Sequence, residues 1–425
     1  MTQPQLQPSA PVEAAVLAAD VVVGIPTYNN ASGVIHALRA VEAACGEMAG
    51  AASCVIVHAD GASTDGTVDR AAEVPPTPAP IMQIGYPIDA VDRMAGPYRG
   101  VPAKGNAVRA IFDTARRLGA KACAIVDAEL DQFAPGWLDA LVGPVLAHGR
   151  DFVAPYYTRH QFSGAINNGV VYPLTRALYG KRVRYPMGGD FACSLHFIDR
   201  CTGDPAWNTE LVKSAVDIWL TTRALTDGSR VAQAQLGVKH QMWKEQGGDA
   251  AEPLGKVLAA VFEGADRRQA VWQKVRGSEP VHTFGTATVV DDAPVTVSAK
   301  RGIESFRLGQ KHLDEVWKLV LPPRTLLELN KLALLAEPAF RVPDDIWARI
   351  VYDFMLAYHQ RVFNRDHVLS AFAPLFAGWV ASFVSELQDA TPTESEERLE
   401  RMCLRFESEK PYLISRWRWP DRFSP

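Results

Sequence analysis

The feature that most constrains the fold is an alternation of short apolar runs with helical spacings over the first half of the chain. Four runs are predicted to be buried strands, namely "VVVGI", "SCVIVHAD", "PIMQIG" and "ACAIVD". Strands that alternate with helices form βαβ units and a mostly parallel sheet, and such sheets bind ligands at the carboxyl ends of their strands. We therefore predict an α/β fold with helices flanking a mostly parallel sheet.

The second half has a different pattern. "DDIWARIVYDFMLAYHQR" has a helical apolar stripe, and Pro343 and Asp344 mark the start of the helix; the members of the stripe are Ile346, Trp347, Ile350, Val351, Phe354, Met355 and Tyr358. The tryptophans at 347, 379, 417 and 419 suggest packing onto the sheet domain or a second subunit. The predicted organisation is a flexible tail (1–18), a sheet domain (19–248), a connection with one or two short strands (249–300) and an α-helical C-terminal domain (301–425).

Composition narrows the class of protein. A formal net charge of −4 over 425 residues gives no basic field for nucleic acid or an anionic membrane. The six cysteines are scattered without a CxxC pair, which is typical of a reduced chain. We find no secretion signal and no apolar run of about 18 residues, the length that crosses a bilayer. A soluble cytoplasmic protein is predicted.

Three carboxylates, Asp127, Glu129 and Asp131, follow the fourth strand at alternate positions. Burying these carboxylates unpaired in an apolar core would cost on the order of several kcal/mol each. They are either a solvated strand end that stabilises a helix N-terminus, or ligands of a divalent cation such as Mg²⁺ or Mn²⁺.

The neighbouring motifs favour the second interpretation. "IPTYN" ends the first strand, "ADGASTDGT" ends the second, and "AKGNA" precedes the acidic group. In this order they resemble the GT-A nucleotide-sugar glycosyltransferases, family 2 in particular, although Ala62 looks inserted. The resemblance implies a GT-A (Rossmann-like) sheet domain for nucleotide-sugar binding and catalysis, with Asp127 and Glu129 in place of the family's Asp-X-Asp motif.

Three later stretches narrow the resemblance. "VVYPLTRALYGKRVRYPMGGDFACS", "VDIWLTTRAL" and "QLGVKHQ" are similar to glucosylglycerate synthases, and more remotely to glucosyl-3-phosphoglycerate and mannosylglycerate synthases. The resemblance implies a retaining hexosyltransferase that uses a UDP- or GDP-sugar donor and a small hydroxy-acid acceptor. Its product would be a glucosylglycerate-type compatible solute.

The resemblance also implies roles for individual residues. The nucleotide-sugar would contact Pro26, Thr27, Tyr28, Asn29, Asp60, Lys104, Gly105, Asp127 and Ala128. The metal would be held by Asp127, Glu129 and His240, and whether Glu129 or Asp131 is nearer to the metal stays open. Asp217 and Asp190 would be catalytic. Thr175, Gly188 and Gly189 would bind the acceptor.

Structural roles compete with several of these assignments. Asp217 suits the start of a helix, Thr175 a helix N-cap, Lys104 a solvated surface and His240 an ordinary core or surface position. Pro173 and Met242 replace an Arg and an Asn of the phosphoglycerate enzymes, which favours glycerate over 3-phosphoglycerate unless Arg176, Lys181, Arg182 or Arg184 compensates.

Other functions also stay open. They are an inverting family-2-like transferase, a nucleotidyltransferase and a nucleotide-sugar-binding protein without catalysis. The first strand is followed by "GIPTYNNASG", which lacks the basic residue expected of a nucleotidyltransferase. A homodimer is plausible.

Overall fold

The computed structural model describes residues 18–48, 52–75, 79–89, 92, 101–128, 134–238, 251–286 and 297–419. These residues form two compact units. The sheet unit comprises the described residues within 1–159, 183–242 and 281–291, and the helical unit comprises those within 160–182, 243–280 and 292–425. The predicted boundaries at 248 and 300 differ from this division.

The bounds of the elements are as follows. The strands are β1 (Val21–Thr27), β2 (Cys54–Asp60), β3 (Ile81–Gly85), β4 (Ala122–Ile125), β5 (Phe152–Thr158), β6 (Lys181–Arg182), β7 (Phe191–Ser194), β8 (Val231–Val238), β9 (Glu279–Pro280) and β10 (Thr283–Phe284). The α-helices are α1 (Val34–Glu47), α2 (Thr67–Ala72), α3 (Lys104–Arg117), α4 (Trp137–His148), α5 (Tyr172–Tyr179), α6 (Leu195–Thr202), α7 (Glu210–Thr226), α8 (Ala251–Arg267), α9 (Gln269–Trp272), α10 (Ala299–Val320), α11 (Pro323–Leu334), α12 (Asp344–Gln360), α13 (Arg365–Leu387) and α14 (Pro392–Arg418).

The predicted α/β fold is confirmed. Eight strands form one sheet in the order β10-β8-β5-β7-β4-β1-β2-β3, and only β7 runs antiparallel to its neighbours. All seven residues of β1 are buried, as expected for a central strand with helices on both faces. One face packs on α3, α6 and α7, and the other packs on α1, α2 and α4.

Close packing explains one glycine of β1. A Cβ atom at Gly24 would lie 2.5 Å from Cγ2 of Ile111 on α3, nearer than van der Waals contact permits. Glycine therefore lets α3 lie directly against β1. The N-terminus of α3, with Lys104, is thereby held at the carboxyl edge of the sheet.

The helical unit confirms one prediction and corrects another. All seven residues of the predicted stripe are buried, and α12 begins at Asp344 as expected. The predicted irregular connection is wrong for 251–267 and 269–272, which are helical, although the two short strands β9 and β10 do follow. Helix α8 places Leu254, Val257, Leu258, Val261 and Phe262 at helical spacing, and their side chains are buried.

The tryptophans help to build the core of the helical unit. Trp347 stacks on Trp379 with ring centroids 5.5 Å apart, and its Nε1 donates to the Gly169 carbonyl at 2.7 Å. Trp417 is also buried, whereas Trp419 is 61% exposed. The predicted homodimer stays a prediction.

Helix α13 bears on the predicted absence of a membrane span. By length and composition it is apolar enough to cross a membrane, contrary to the expectation that the chain has no such run. However, 67% of its most apolar window is buried inside the structure, as in the core helix of a soluble protein. One such helix is weak evidence for a span.

The cysteines require a correction. Cys45 on α1 and Cys54 at the start of β2 form a disulfide with Cα atoms 6.1 Å apart, so the predicted reduced state is wrong for this pair. Sequence spacing alone did not reveal that α1 returns to the start of β2. The other four cysteines are buried and form no disulfide within the described residues.

Candidate functional site

Three adjacent strands bring predicted site residues to one edge of the sheet. β1 lies between β2 and β4, and all three run parallel. Thr27 ends β1 directly beside Asp60, which ends β2. Asp127 follows β4 by two residues. The sequence prediction that these residues meet at the carboxyl edge is confirmed.

A hydrogen-bond network joins the loops after β1 and β2. The Thr27 hydroxyl donates to Oδ2 of Asp60 at 2.9 Å, and Ser63 donates to the same carboxylate from its amide (2.8 Å) and hydroxyl (2.6 Å). The Asn29 amide in turn donates to Ser63 Oγ at 2.8 Å. Asp60 is 4% exposed and accepts three hydrogen bonds of about four that a carboxylate can accept. These bonds fix the two loops together.

The remaining residues of the first motif lie on the same loop. Pro26 is buried within β1, Tyr28 is half-buried and Asn29 is exposed. Asn29 has a left-handed backbone (φ 49°), and so does Ala62 (φ 59°), the residue that looked inserted in the sequence. Such a conformation is uncommon outside glycine, asparagine and aspartate, so Ala62 holds its turn at some cost.

A second cluster is ionic. The Lys104 ammonium donates to Oδ1 of Asp127 at 2.7 Å, to Oδ2 of Asp217 at 3.2 Å and to the Gly189 carbonyl at 3.2 Å. Lys104 is 4% exposed, so the alternative of a solvated lysine is wrong. The loop after β4 and helices α3 and α7 therefore each contribute one charge to a buried contact at the sheet edge.

Asp190 stabilises this cluster through a hydrogen bond to Asp127. Its Oδ1 accepts the backbone amide of Asp127 at 2.7 Å, and its Oδ2 accepts the hydroxyl of Tyr157. Burial, and secondarily the Asp190 charge, raises the pKa of Tyr157 well above its ordinary value, so this hydroxyl stays protonated. Asp190 itself is 1% exposed. Among Lys104, Asp127, Asp190 and Asp217, one cation stands with three carboxyl groups.

Local backbone features position the ionic cluster. Ala215 interrupts α7 with non-helical angles (φ −135°, ψ 44°), and Asp217 follows as the second residue of the new segment. The alternative that Asp217 lies near a helix start is thus compatible with its contact to Lys104. A Cβ at Gly105 would lie 2.4 Å from the Val212 carbonyl oxygen, so glycine lets α3 approach α7.

The two glycines predicted to bind the acceptor precede Asp190. A Cβ at Gly188 would lie 2.0 Å from Cγ of Pro155, and Gly189 adopts a positive φ of 92°. Glycine is needed at both positions for the loop to place Asp190 and to present the Gly189 carbonyl to Lys104.

Part of the predicted metal site cannot be placed. Glu129 and His240, like Asp131 and Met242, lie outside the described residues. Ala128 is described and buried beside Asp127. Within the described ranges, no group of three or more His, Cys, Asp or Glu side chains could hold a metal ion. The described residues thus do not form a metal site by themselves.

Thr175 belongs to the helical unit. It lies within α5, where its hydroxyl donates to the Val171 carbonyl at 2.7 Å, and it is 3% exposed. The alternative that it caps a helix N-terminus is wrong, since α5 begins three residues earlier at Tyr172. The predicted contact with an acceptor stays a prediction.

Sequence reasoning missed three residues that hold the site together. They are His58, whose Nε2 is 2.8 Å from Thr27 Oγ1, Ser63, which binds Asp60, and Tyr157, which binds Asp190. His58 offered one signal, because a histidine inside the apolar run "CVIVHAD" must be accommodated in a core.

A cavity of about 720 Å³ lies elsewhere in the sheet unit. It is lined by Ala134, Pro135, Gly136, Asp139, Ala140, Gly143, Pro144, Ala147, His148, Gln235, Phe284, Gly285 and Thr286. None of these is a predicted site residue. We assign the site to the sheet edge because ionisable groups converge there.

No family model and no curated protein matches the chain. Among solved structures, it is similar to glucosyl-3-phosphoglycerate synthase from Mycobacterium tuberculosis in complex with phosphoglyceric acid, with 21% identity, a TM-score of 0.41 and coverage of 60% of this chain and 82% of that chain. It is also similar to mannosyl-3-phosphoglycerate synthase from Rubrobacter xylanophilus (20% identity, TM-score 0.39, coverage 61% and 77%).

A third similar structure is a mannosyltransferase from Pyrobaculum calidifontis in complex with GDP-mannose and Mn²⁺ (16% identity, TM-score 0.36, coverage 95% and 88%). All three are glycosyltransferases, the class that the sequence motifs resemble. With TM-scores below 0.5, these likenesses carry no argument about the activity of this chain.

Proposed function

We propose that this chain is a nucleotide-sugar-dependent hexosyltransferase of the GT-A type. Its proposed reaction moves glucose, or alternatively mannose, from a UDP- or GDP-sugar to glycerate or a related small hydroxy acid. The observation that supports this proposal is the convergence of Thr27, Asp60, Asp127 and Lys104 at one sheet edge, with Asp217 bound to the same lysine.

The roles follow from the two clusters. The network around Thr27 and Asp60 holds the nucleoside, because it fixes both loops while one acceptor position of Asp60 remains for a donor of the base or ribose. The Lys104 ammonium stabilises the negative charge that develops as the nucleoside diphosphate leaves. Asp190 is a positioning residue, since it holds the backbone of Asp127.

The role of Asp217 depends on stereochemistry. In a retaining reaction, the acceptor oxygen bonds to the anomeric carbon on the face that the diphosphate leaves, and the departing phosphate oxygen takes the acceptor proton. Asp217 then orients sugar and acceptor. In an inverting reaction, Asp217 is the best-placed general base for that proton. Product anomer analysis distinguishes the two.

The metal requirement is a separate part of the proposal. Asp127 is a described carboxylate at the strand end where a hard cation would be held, and Glu129 and His240 would complete its ligands. The described residues leave this set incomplete, so we derive no catalytic step through a metal.

The helical unit supports an acceptor without a phosphate group. Arg176 pairs with Glu407 (Nε to Oε1, 2.6 Å) and Glu400 (2.5 Å) and is fully buried. Lys181 pairs with Glu279, and Arg182 lies 3.7 Å from Glu400. Arg176, Lys181 and Arg182, which could have replaced the missing phosphate donors, thus already have carboxylate partners. This favours glycerate over 3-phosphoglycerate.

A donor-by-acceptor screen tests the proposal. UDP-glucose, GDP-glucose and GDP-mannose are crossed with glycerate, 3-phosphoglycerate and no acceptor, each with Mg²⁺, Mn²⁺ or chelator. We expect nucleoside diphosphate release that depends on glycerate and is abolished by chelator. Turnover with 3-phosphoglycerate alone would refute the acceptor assignment, and turnover in chelator would refute the metal. No release under any condition would leave a binding site without the proposed activity.

A further inference from the structure

His58 is a fully buried residue of β2 that the roles above do not use. It is paired with Ile25 of β1 and Gln83 of β3, and it shares a sheet face with Asp60 two residues further on. Its ring Nε2 lies 2.8 Å from the Thr27 hydroxyl oxygen, which is itself fully buried. The ring therefore contacts the innermost residue of the Thr27–Asp60 network.

Hydrogen counting fixes the direction of this contact. Thr27 has one hydroxyl hydrogen, and it is donated to Oδ2 of Asp60. The Thr27 oxygen must then accept from His58, so the proton is on Nε2. Burial lowers the pKa of His58 to about 4 despite an opposing effect of Asp60, and the ring is therefore neutral near pH 7.

The resulting hydrogen bonds all run in one direction, toward Asp60. His58 donates to Thr27, and Thr27 donates to Asp60. From the other side, Asn29 donates to Ser63, and Ser63 donates to Asp60. The Tyr86 hydroxyl also donates to the Thr27 backbone carbonyl at 3.1 Å. With its hydroxyl bonded on both sides, Thr27 is held in one orientation.

Core packing alone does not account for a histidine here. In the described residues, Nδ1 of His58 is buried without a hydrogen-bond partner, and such an unsatisfied acceptor destabilises the folded state. A leucine or valine would fill a strand interior without that cost. The contact to Thr27 is what a histidine provides and an aliphatic side chain does not.

We propose that His58 is a positioning residue that orients the Thr27 hydroxyl onto Asp60 and so shapes the pocket for the nucleoside diphosphate of the donor. This inference rests on the proposed function, and it adds a residue to which no role has been assigned. His58 acts through Thr27, and it need not touch the ligand itself.

Two substitutions separate the hydrogen bond from the packing. His58→Gln can place an amide N–H near the position of Nε2, whereas His58→Leu fills the site without a donor. UDP and GDP are titrated into each variant by calorimetry, and donor KM and kcat are measured in parallel. We expect His58→Leu to raise Kd and KM about tenfold, with kcat changed less than about twofold, and His58→Gln to stay within about threefold of wild type, as for one hydrogen bond.

A double-mutant cycle with Thr27→Val tests whether His58 acts through Thr27. Once the hydroxyl is absent, His58→Leu should raise Kd by less than about twofold further. Equal effects of His58→Leu with and without Thr27 would overturn the inference, as would wild-type affinity in His58→Leu alone. If the wild type binds neither UDP nor GDP, the proposed function itself is refuted, and the inference with it.

The tautomer of the His58 ring can be measured without an activity assay. Long-range ¹H–¹⁵N spectra of histidine-labelled protein at pH 7 should show one buried ring protonated at Nε2 alone, and this signal should be absent in His58→Gln. A ring protonated at Nδ1, or at both nitrogens, would contradict the network.

Discussion

Two buried lysines, one in each unit, show how surroundings decide what a cation does. Lys104 and Lys410 are each 4% exposed. Lys104 faces two carboxylates, Asp127 and Asp217, at a sheet edge. Lys410 donates to three backbone carbonyls in the helical unit, those of Ala177 (2.7 Å), Leu178 (3.2 Å) and Val275 (3.0 Å).

The difference in hydrogen-bond partners separates a lysine suited to ligand binding from a lysine that stabilises the fold. Carbonyls are dipoles without net charge, so Lys410 has little compensation for its desolvation, and burial lowers its pKa to about 7. Two of its contacts satisfy carbonyls at the C-terminus of α5, as a capping cation does. Lys104 is instead drawn to carboxylates where strand ends converge, a location suited to a ligand of opposite charge.

Removal of the Lys104 cation should have the largest effect. We expect Lys104→Met to lower kcat/KM about 10³-fold, since an electrostatic contact to the transition state is lost. Stability should fall by about 3–5 kcal/mol, because Asp127 and Asp217 lose their shared partner. Steady-state kinetics and urea unfolding measure the two effects.

Two further variants control for folding. Lys121→Met removes an exposed lysine paired with Asp20 and should leave both quantities near wild type. Adding Asp217→Asn to Lys104→Met should recover part of the stability without activity. Wild-type kcat/KM in Lys104→Met would end the proposed role of this lysine.

Lys410→Met should affect stability and spare catalysis. Three buried carbonyls lose their donor, and we expect a loss of about 2–4 kcal/mol in urea unfolding. The kcat/KM of the folded fraction should stay within about threefold of wild type. Lys331→Met, at a lysine whose side chain is 69% exposed, is the matched control and should change stability by less than about 0.5 kcal/mol. A loss of kcat/KM comparable to that of Lys104→Met would erase the distinction between the two lysines.

His58 extends the comparison to a buried base held neutral. Its folded pKa of about 4 lies below the unfolded value of about 6.5. The unfolded chain therefore binds more protons in this window, and the contribution of His58 to stability, complete above pH 6.5, is lost as pH falls toward 4. The shift corresponds to roughly 3 kcal/mol.

Urea unfolding at pH 7.5 and pH 4.5 in wild type and His58→Gln measures this contribution. Wild type should lose about 2 kcal/mol more than the variant between these two pH values. Parallel losses would show that the His58 ring is not held neutral.

The smallest structural change is the addition of one methyl group. Gly105→Ala places a Cβ 2.4 Å from the Val212 carbonyl oxygen and should push α7, which carries Asp217, away from Lys104. We expect kcat/KM to fall about tenfold and stability by about 1–3 kcal/mol. Gly46→Ala in α1 meets no atom within 4 Å, and it should be neutral or slightly stabilising. Equal behaviour of both variants would show that the α3–α7 approach is unimportant.

The sequence predicted what local pattern encodes. Apolar runs separated by helical spacings were enough for the parallel sheet, and the rule that ligands bind at carboxyl ends of strands was enough to place Thr27, Asp60 and Asp127 together. The stripe of α12 was predicted with its starting residue, because helical periodicity and Pro343 are both local signals.

Contacts between distant parts of the chain were beyond that reasoning. Lys104 and Asp217 are 113 residues apart, and nothing in "AKGNA" indicates that the lysine is buried. The role of His58 depends on the register of β1 and β2, which places Asp60 beside Thr27. The Cys45–Cys54 pair likewise depends on how α1 returns to the sheet.

The most direct test of the central claim is to locate donor binding on the chain. Hydrogen–deuterium exchange should be compared with and without saturating UDP-glucose, or GDP-glucose if the screen selects it. We predict slower exchange in peptides from 24–33, 58–67, 103–108 and 125–128, the strand ends and the start of α3. Protection confined to 134–148 and 284–286, which line the separate cavity, or to the helical unit would contradict the assignment of the site.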